Sequence, residues 1–143
     1  MLLRNRSQKV EMLRAIPMFS YLTKKQLDEV ARHSDELQIE AGHVLAKEGS
    51  IGHELFILVS GSATVSRNGQ VLAKLRRGDF VGEMSLLDNK PRSATVVADE
   101  PMSVLVIGER EFGPLLANAP DLSLRLLKAM AQRLRDADAA LTH

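Results

Sequence analysis

The chain contains no cysteine, which excludes disulfide staples and thiolate metal centres. It has no tryptophan, one tyrosine and four phenylalanines, so its core has to be aliphatic. A surplus of charge of either sign is missing too: 19 Lys and Arg face 18 Asp and Glu, for a formal net charge of +1. That balance offers no broad basic surface to a phosphate backbone, and direct nucleic-acid binding is not expected. No stretch approaches the roughly 20 apolar residues of a membrane span. The start, MLLRNRSQKVEMLRAI, lacks the apolar run of a secretion signal. A soluble, cytoplasmic protein with no membrane partner is expected.

What is present is ordinary for a globular chain: 45% hydrophobic and 26% charged residues, which excludes disorder or low complexity. A length of 143 residues suffices for one core and is short for two, so one domain spanning 1–143 is expected. Val10, Leu13 and Ile16, then Leu27, Val30 and Ala31, recur at helical spacing on either side of Pro17. Two helices follow within 1–34, the second opened by a Thr23–Gln26 capping box. From 35 to 108 the texture changes to short apolar or alternating runs, among them ELFILVSG and MSVLVIG, punctuated by Gly42, Gly49, Gly52, Gly61 and Gly78. Such closely spaced strands predict a sandwich or barrel. Asn68-Gly69 marks a hairpin, since both central residues of a type I′ turn need positive φ.

After Gly108 the helical period returns over 109–143, as a short helix before Pro120 and a longer one capped by Asp121 and running to about Leu141. In it Leu127, Met130, Leu134, Ala137 and Leu141 follow a 3,4,3,4 spacing. That stripe is either a homodimer seam or a face against the strands.

Residues 78–97, GDFVGEMSLLDNKPRSATVV, ask for a functional account. At Gly82 a ligand can approach the backbone, and a short helix beginning near Ser85 would turn the amides of Glu83, Met84 and Ser85 outward as an anion site. Arg92 adds a planar fork of donors suited to phosphate oxygens, beside the hydroxyl of Ser93. Glu83 repels phosphate, but its carboxylate is a strong acceptor for a neighbouring sugar hydroxyl. Together one acid and one arginine describe a cyclic ribose phosphate. The plainer alternative is a surface ion pair between Glu83 and Arg92, worth about 0–1 kcal/mol, with Gly82 serving a turn.

The same stretch closely resembles the phosphate-binding cassette of cyclic-nucleotide-binding domains, the family of the catabolite activator protein, kinase regulatory subunits and cyclic-nucleotide-gated channels. The resemblance extends over about residues 10 to 141, with AGHVLAKEGSIGHELFILVSGSATV similar to the early strands and Gly49 and Gly61 at the family's turn positions. It implies an α+β, mainly β fold: a jelly-roll β-barrel with an N-terminal helical bundle and C-terminal helices including a long last one. It implies that Arg92 and the Ser93 hydroxyl hold the cyclic phosphate and that Glu83 accepts from the ribose 2′-hydroxyl. Gly82, Met84, Ser85 and Ala94 belong to the cassette. Val65, Leu72, Leu75 and Val81 would be core residues first and apolar wall around sugar and base second.

Some family members that prefer cyclic GMP carry threonine directly after the cassette arginine; Ser93 stands there, so the resemblance implies cyclic AMP ahead of cyclic GMP as ligand, and no cofactor. The adenine-contacting Thr-Ser pair of the catabolite activator protein matches Ala137 and Asp138 here, a departure that leaves recognition of the base by the last helix open.

The expected role is a regulatory module whose ligand repositions the last helix, acting through a second copy or an unidentified effector protein. The rival readings are a ligand-free interaction module and a regulatory fragment of a larger channel, kinase or transcription regulator. Residues after the long helix leave no room for a DNA-reading head. An enzyme is not expected, because His33, His43, His53 and His143 show neither a His-x-His pair nor metal-ligand spacing.

Overall fold

The computed structural model describes residues 4–82 and 90–141; the side chains of Met18, Ala129, Arg133, Leu134 and residues 136–141 lie outside the description. Helix α1 (Arg6–Arg14) opens at Asn5, which forms a reciprocal capping box with Gln8. Helix α2 (Lys24–Arg32) opens with the expected Thr23–Gln26 box. Between them Pro17 does more than interrupt: it starts a 3-10 turn, Pro17–Phe19. Its fixed φ suits a first helical position, where the missing N–H costs nothing.

Among the described residues eight strands follow: β1 (Asp35–Ile39), β2 (Val44–Ala46), β3 (Glu54–Ser60), β4 (Ala63–Arg67), β5 (Gln70–Leu75), β6 (Phe80–Val81), β7 (Thr95–Ala98) and β8 (Met102–Gly108). They form two four-stranded antiparallel sheets, ordered β1-β8-β3-β6 and β2-β7-β4-β5. This is a jelly roll in which, among the described residues, each sheet keeps its own ladder and no hydrogen-bonded closed barrel forms. The β4–β5 hairpin turns as expected, with φ of 53° at Asn68 and 78° at Gly69.

Helix α3 (Glu109–Asn118) leads into helix α4 (Pro120–Leu141). The last helix starts two residues earlier than a cap at Asp121 implies. Pro120 occupies its first position and Asp121 lies in its first turn, where the acid complements the helix dipole without capping it.

The first sheet lies between two cores. Alternate residues of a strand face opposite ways, and β3 shows the consequence. Leu55, Ile57 and Val59 join Leu13, Ile16, Phe19, Leu27, Leu105, Ile107, Leu115, Leu122 and Leu126 in a cluster shared with the helices. Phe56 and Leu58 join Leu45, Ala63, Leu75, Val96, Met102 and Val104 between the sheets. A strand buried on both faces reads as a continuous apolar run, which is why ELFILV shows no alternation. Helix α4 docks through Leu122 and Leu126 with Met130 packed against the same cluster. Gln26 Nε2 donates to Asp121 (3.5 Å), and the Arg125 guanidinium stacks 3.8 Å from the Tyr21 ring centroid.

Of the two readings of the α4 stripe, a face against the strands does not hold at Leu127. Leu127 is 62% exposed, because the i, i+4 row 122–126–130 faces the core and leaves 127 to the side. Met130 of the stripe packs against the core, and Leu134, Ala137 and Leu141 lie outside the described side chains. No described helix is long and apolar enough to cross a membrane.

One buried acid ties the N-terminal segment to the first sheet. Glu36 on β1 accepts from Ser103 Oγ (2.8 Å) and from the Arg4 amide (3.1 Å), and its carboxylate pairs with the Arg4 guanidinium. Burial pushes the Glu36 carboxyl up, but these hydrogen bonds and the Arg4 charge outweigh it and hold the pKa below the ordinary value of 4.5.

Candidate functional site

Arg92 comes just before β7 and is only 7% exposed. Its backbone is fixed on both sides by the turn at 47–50: the Arg92 amide donates to the Ser50 carbonyl (2.8 Å), and its carbonyl accepts from the Gly49 amide (2.9 Å). The side chain runs inward, where Nη2 donates to the Glu54 carbonyl (3.1 Å) and the guanidinium carbon lies 6.0 Å from the Phe56 ring centroid. A buried cation is costly unless hydrogen-bonded. This one is held where a surface ion pair would not put it, so the surface part of the plainer alternative is wrong.

Two glycines make the space. A Cβ at Gly52 would run into the Arg92 guanidinium, and a Cβ at Gly82 would run into both that group and the Glu54 carbonyl. Gly82 also has a φ of +101°, a conformation that favours glycine. Gly82 is expected to admit a ligand to the backbone, whereas the space it leaves is filled by the arginine itself. In the sequence Gly52 reads only as punctuation; an extra glycine three residues after Gly49, where one turn glycine would do, was the available signal.

Ser93 is exposed and Ala94 half-buried, so the residues after the arginine face outward while its side chain does not. Glu83, Met84 and Ser85 lie outside the described residues.

Of the four expected wall residues, Leu75 is buried, Val65 and Val81 are half-buried, and both of the latter pack against the core between the sheets. Leu72 corrects its expected place in the core, being 50% exposed. The register explains it: Val65 pairs with Ala73 and Ser66 with Val71, which leaves Leu72 as the extra residue of a bulge on an edge strand with no sheet beyond it. Among the described residues no group of three or more His, Asp or Glu side chains is placed to hold a metal ion.

The comparisons agree with this geometry. Residues 36–119 match the family model described as cyclic nucleotide-binding domain. Over 131 residues the chain is 33% identical to a cGMP-dependent protein kinase of Eimeria tenella, covering 90% of this chain and 13% of the kinase. It is 32% identical over 112 residues to a cAMP-dependent protein kinase regulatory subunit of Schizosaccharomyces pombe, covering 78% of this chain and 27% of that subunit. The chain thus spans well under a third of either relative. The crystal structure of the Thermus thermophilus catabolite activator protein superposes with a TM-score of 0.80 at 30% identity, over 88% of this chain and 62% of that one. With its helices, its two-sheet jelly roll and a buried arginine at the end of the 78–97 stretch, the chain belongs to the cyclic nucleotide-binding domain family.

Proposed function

We propose that the protein is a regulatory, non-catalytic module that binds cyclic AMP in preference to cyclic GMP. The observation that carries this reading is Arg92: a cation held between Gly52 and Gly82 under the Glu54 carbonyl is costly to keep buried and well made to receive an anion. In this reading Arg92 and the Ser93 hydroxyl take the cyclic phosphate, Glu83 takes the ribose 2′-hydroxyl, and Gly82, Met84, Ser85 and Ala94 supply the cassette backbone. Val65, Leu75 and Val81 form apolar wall from within the core. Leu72, half open to solvent, is the wall residue with most surface left to cover. Serine after Arg92 supports adenine over guanine.

Ligand binding shifts the population of cassette conformations and with it the position of α4, by no more than the ligand's difference in affinity for the two states. The output passes to a second copy or to an effector protein. Calorimetric titration with cyclic AMP and cyclic GMP in parallel tests the reading. Saturable one-to-one binding, tighter for cyclic AMP, is expected; no heat and no thermal shift with either would leave a ligand-free interaction module.

A further inference from the structure

The tip of the β4–β5 hairpin reaches the segment that carries Arg92. Arg67, the last residue of β4, is exposed, and its Nε donates to the Ser93 carbonyl at 2.8 Å. Upstream of Ser93, the 47–50 turn holds the Arg92 backbone through two hydrogen bonds. Downstream, Thr95 begins the ladder against Ser66, and its Oγ1 accepts from the Glu48 amide (3.0 Å). Ser93 and Ala94 lie between these anchored stretches, outside any strand. The guanidinium of Arg67 ties that gap to the hairpin. The hairpin is itself tied back, since the Asn68 amide donates to Glu48 Oε1 (3.1 Å).

We infer that Arg67 is a positioning residue for the ligand: its hydrogen bond to the Ser93 carbonyl fixes the Ser93–Ala94 backbone against which the phosphate binds. The inference rests on the cyclic-nucleotide reading above. Arg67 acts through the backbone of its neighbours, because its Nε donor meets the Ser93 carbonyl. Removing it leaves the ladders on both sides intact, so the fold persists while the Ser93–Ala94 backbone loosens, and a binding site whose supporting contacts are lost binds less well.

The test compares wild type, Arg67→Ala and Arg67→Lys as full chains. For Arg67→Ala, cyclic AMP should bind about fivefold to tenfold more weakly, the scale of one net hydrogen bond, through faster dissociation. Its unliganded unfolding midpoint should stay within about 2 °C of wild type. Arg67→Lys, which keeps a long cationic donor, should recover most of the affinity. Without nucleotide, amide hydrogen exchange at Ser93 and Ala94 should be faster in Arg67→Ala. Equal affinity of wild type and Arg67→Ala, or equal exchange at those amides, overturns the inference. If wild type binds neither nucleotide, the cyclic-nucleotide reading fails and the ligand role of Arg67 with it, whatever the exchange shows.

Discussion

Strands β3 and β5 have similar aliphatic content and opposite surroundings. Five consecutive residues of β3, Leu55 to Val59, are buried, because one face meets the helices and the other meets the second sheet. In β5, Val71 is 64% exposed and Leu72 50%; only Leu75 is buried. The difference comes from position: β3 is an inner strand of the covered sheet, and β5 is the edge of the other. Apolar residues left uncovered at a bulged edge are open surface, whereas those of β3 are committed to the fold.

Five substitutions sharpen or break that contrast. The largest effect is expected at Ile57, which is fully buried: Ile57→Ala should cost about 3–4 kcal/mol of folding free energy, read from denaturant midpoints. A loss below about 1 kcal/mol would mean that the helix-side core is loosely packed. Next comes Arg92→Ala, which should weaken cyclic-nucleotide binding by about 2–5 kcal/mol by leaving a desolvated phosphate unpaired. Gly52→Ala, whose methyl would meet the guanidinium, should lose part of that affinity with Arg92 still present. A titration in which either variant binds within twofold of wild type would remove the arginine cradle from the account.

The third effect is pH-dependent. The Glu36 carboxyl is held below 4.5 in the folded state, so its contribution is fully present above the unfolded value and is lost as pH falls through the folded one. Glu36→Gln should therefore be less stable than wild type at pH 7 by about 1 kcal/mol, with the gap closing as the solution is acidified below about pH 4. A gap independent of pH would show that packing, and not the charge, is what Glu36 supplies. The smallest expected effect is at Leu72: Leu72→Ala should change folding free energy by less than about 0.5 kcal/mol yet measurably weaken ligand binding. A large stability loss with unchanged binding would reverse the contrast between the two strands.

Much of the architecture was legible because it rests on periodicity and local chemistry. Val10, Leu13, Ile16, Leu27, Val30 and Ala31 are all buried as their spacing predicted. Thr23 with Gln26 and Asn68 with Gly69 state their cap and turn in two residues each. Leu72 was misplaced because edge position and register are properties of the sheet and leave no mark on a five-residue window. Arg92 was found from its motif, but its burial, the space left by Gly52 and the tie from Arg67 join residues 26 to 40 positions apart in sequence, and pairings at that range are set by topology. Glu36 gave no signal either, since an acid in DELQI reads as the polar half of an alternation until Ser103 and Arg4 are brought to it.

Strand β6 is two residues long and belongs to both cores: Phe80 lies in the helix-side cluster and Val81 packs against the one between the sheets. Just before it, a Cβ on Gly78 would stand 3.4 Å from the ring of Pro17, and just after it comes Gly82. The chain that enters the cassette is thus seated against the helices on one side and against the sheets on the other. Linkage then runs in both directions. If a cassette ligand and a molecule on the N-terminal helices each favoured one seating of Phe80, each would change the other's affinity by the same factor. An effector coupled in this way would be recognised without a map of its contact surface, by titrating the nucleotide in its presence.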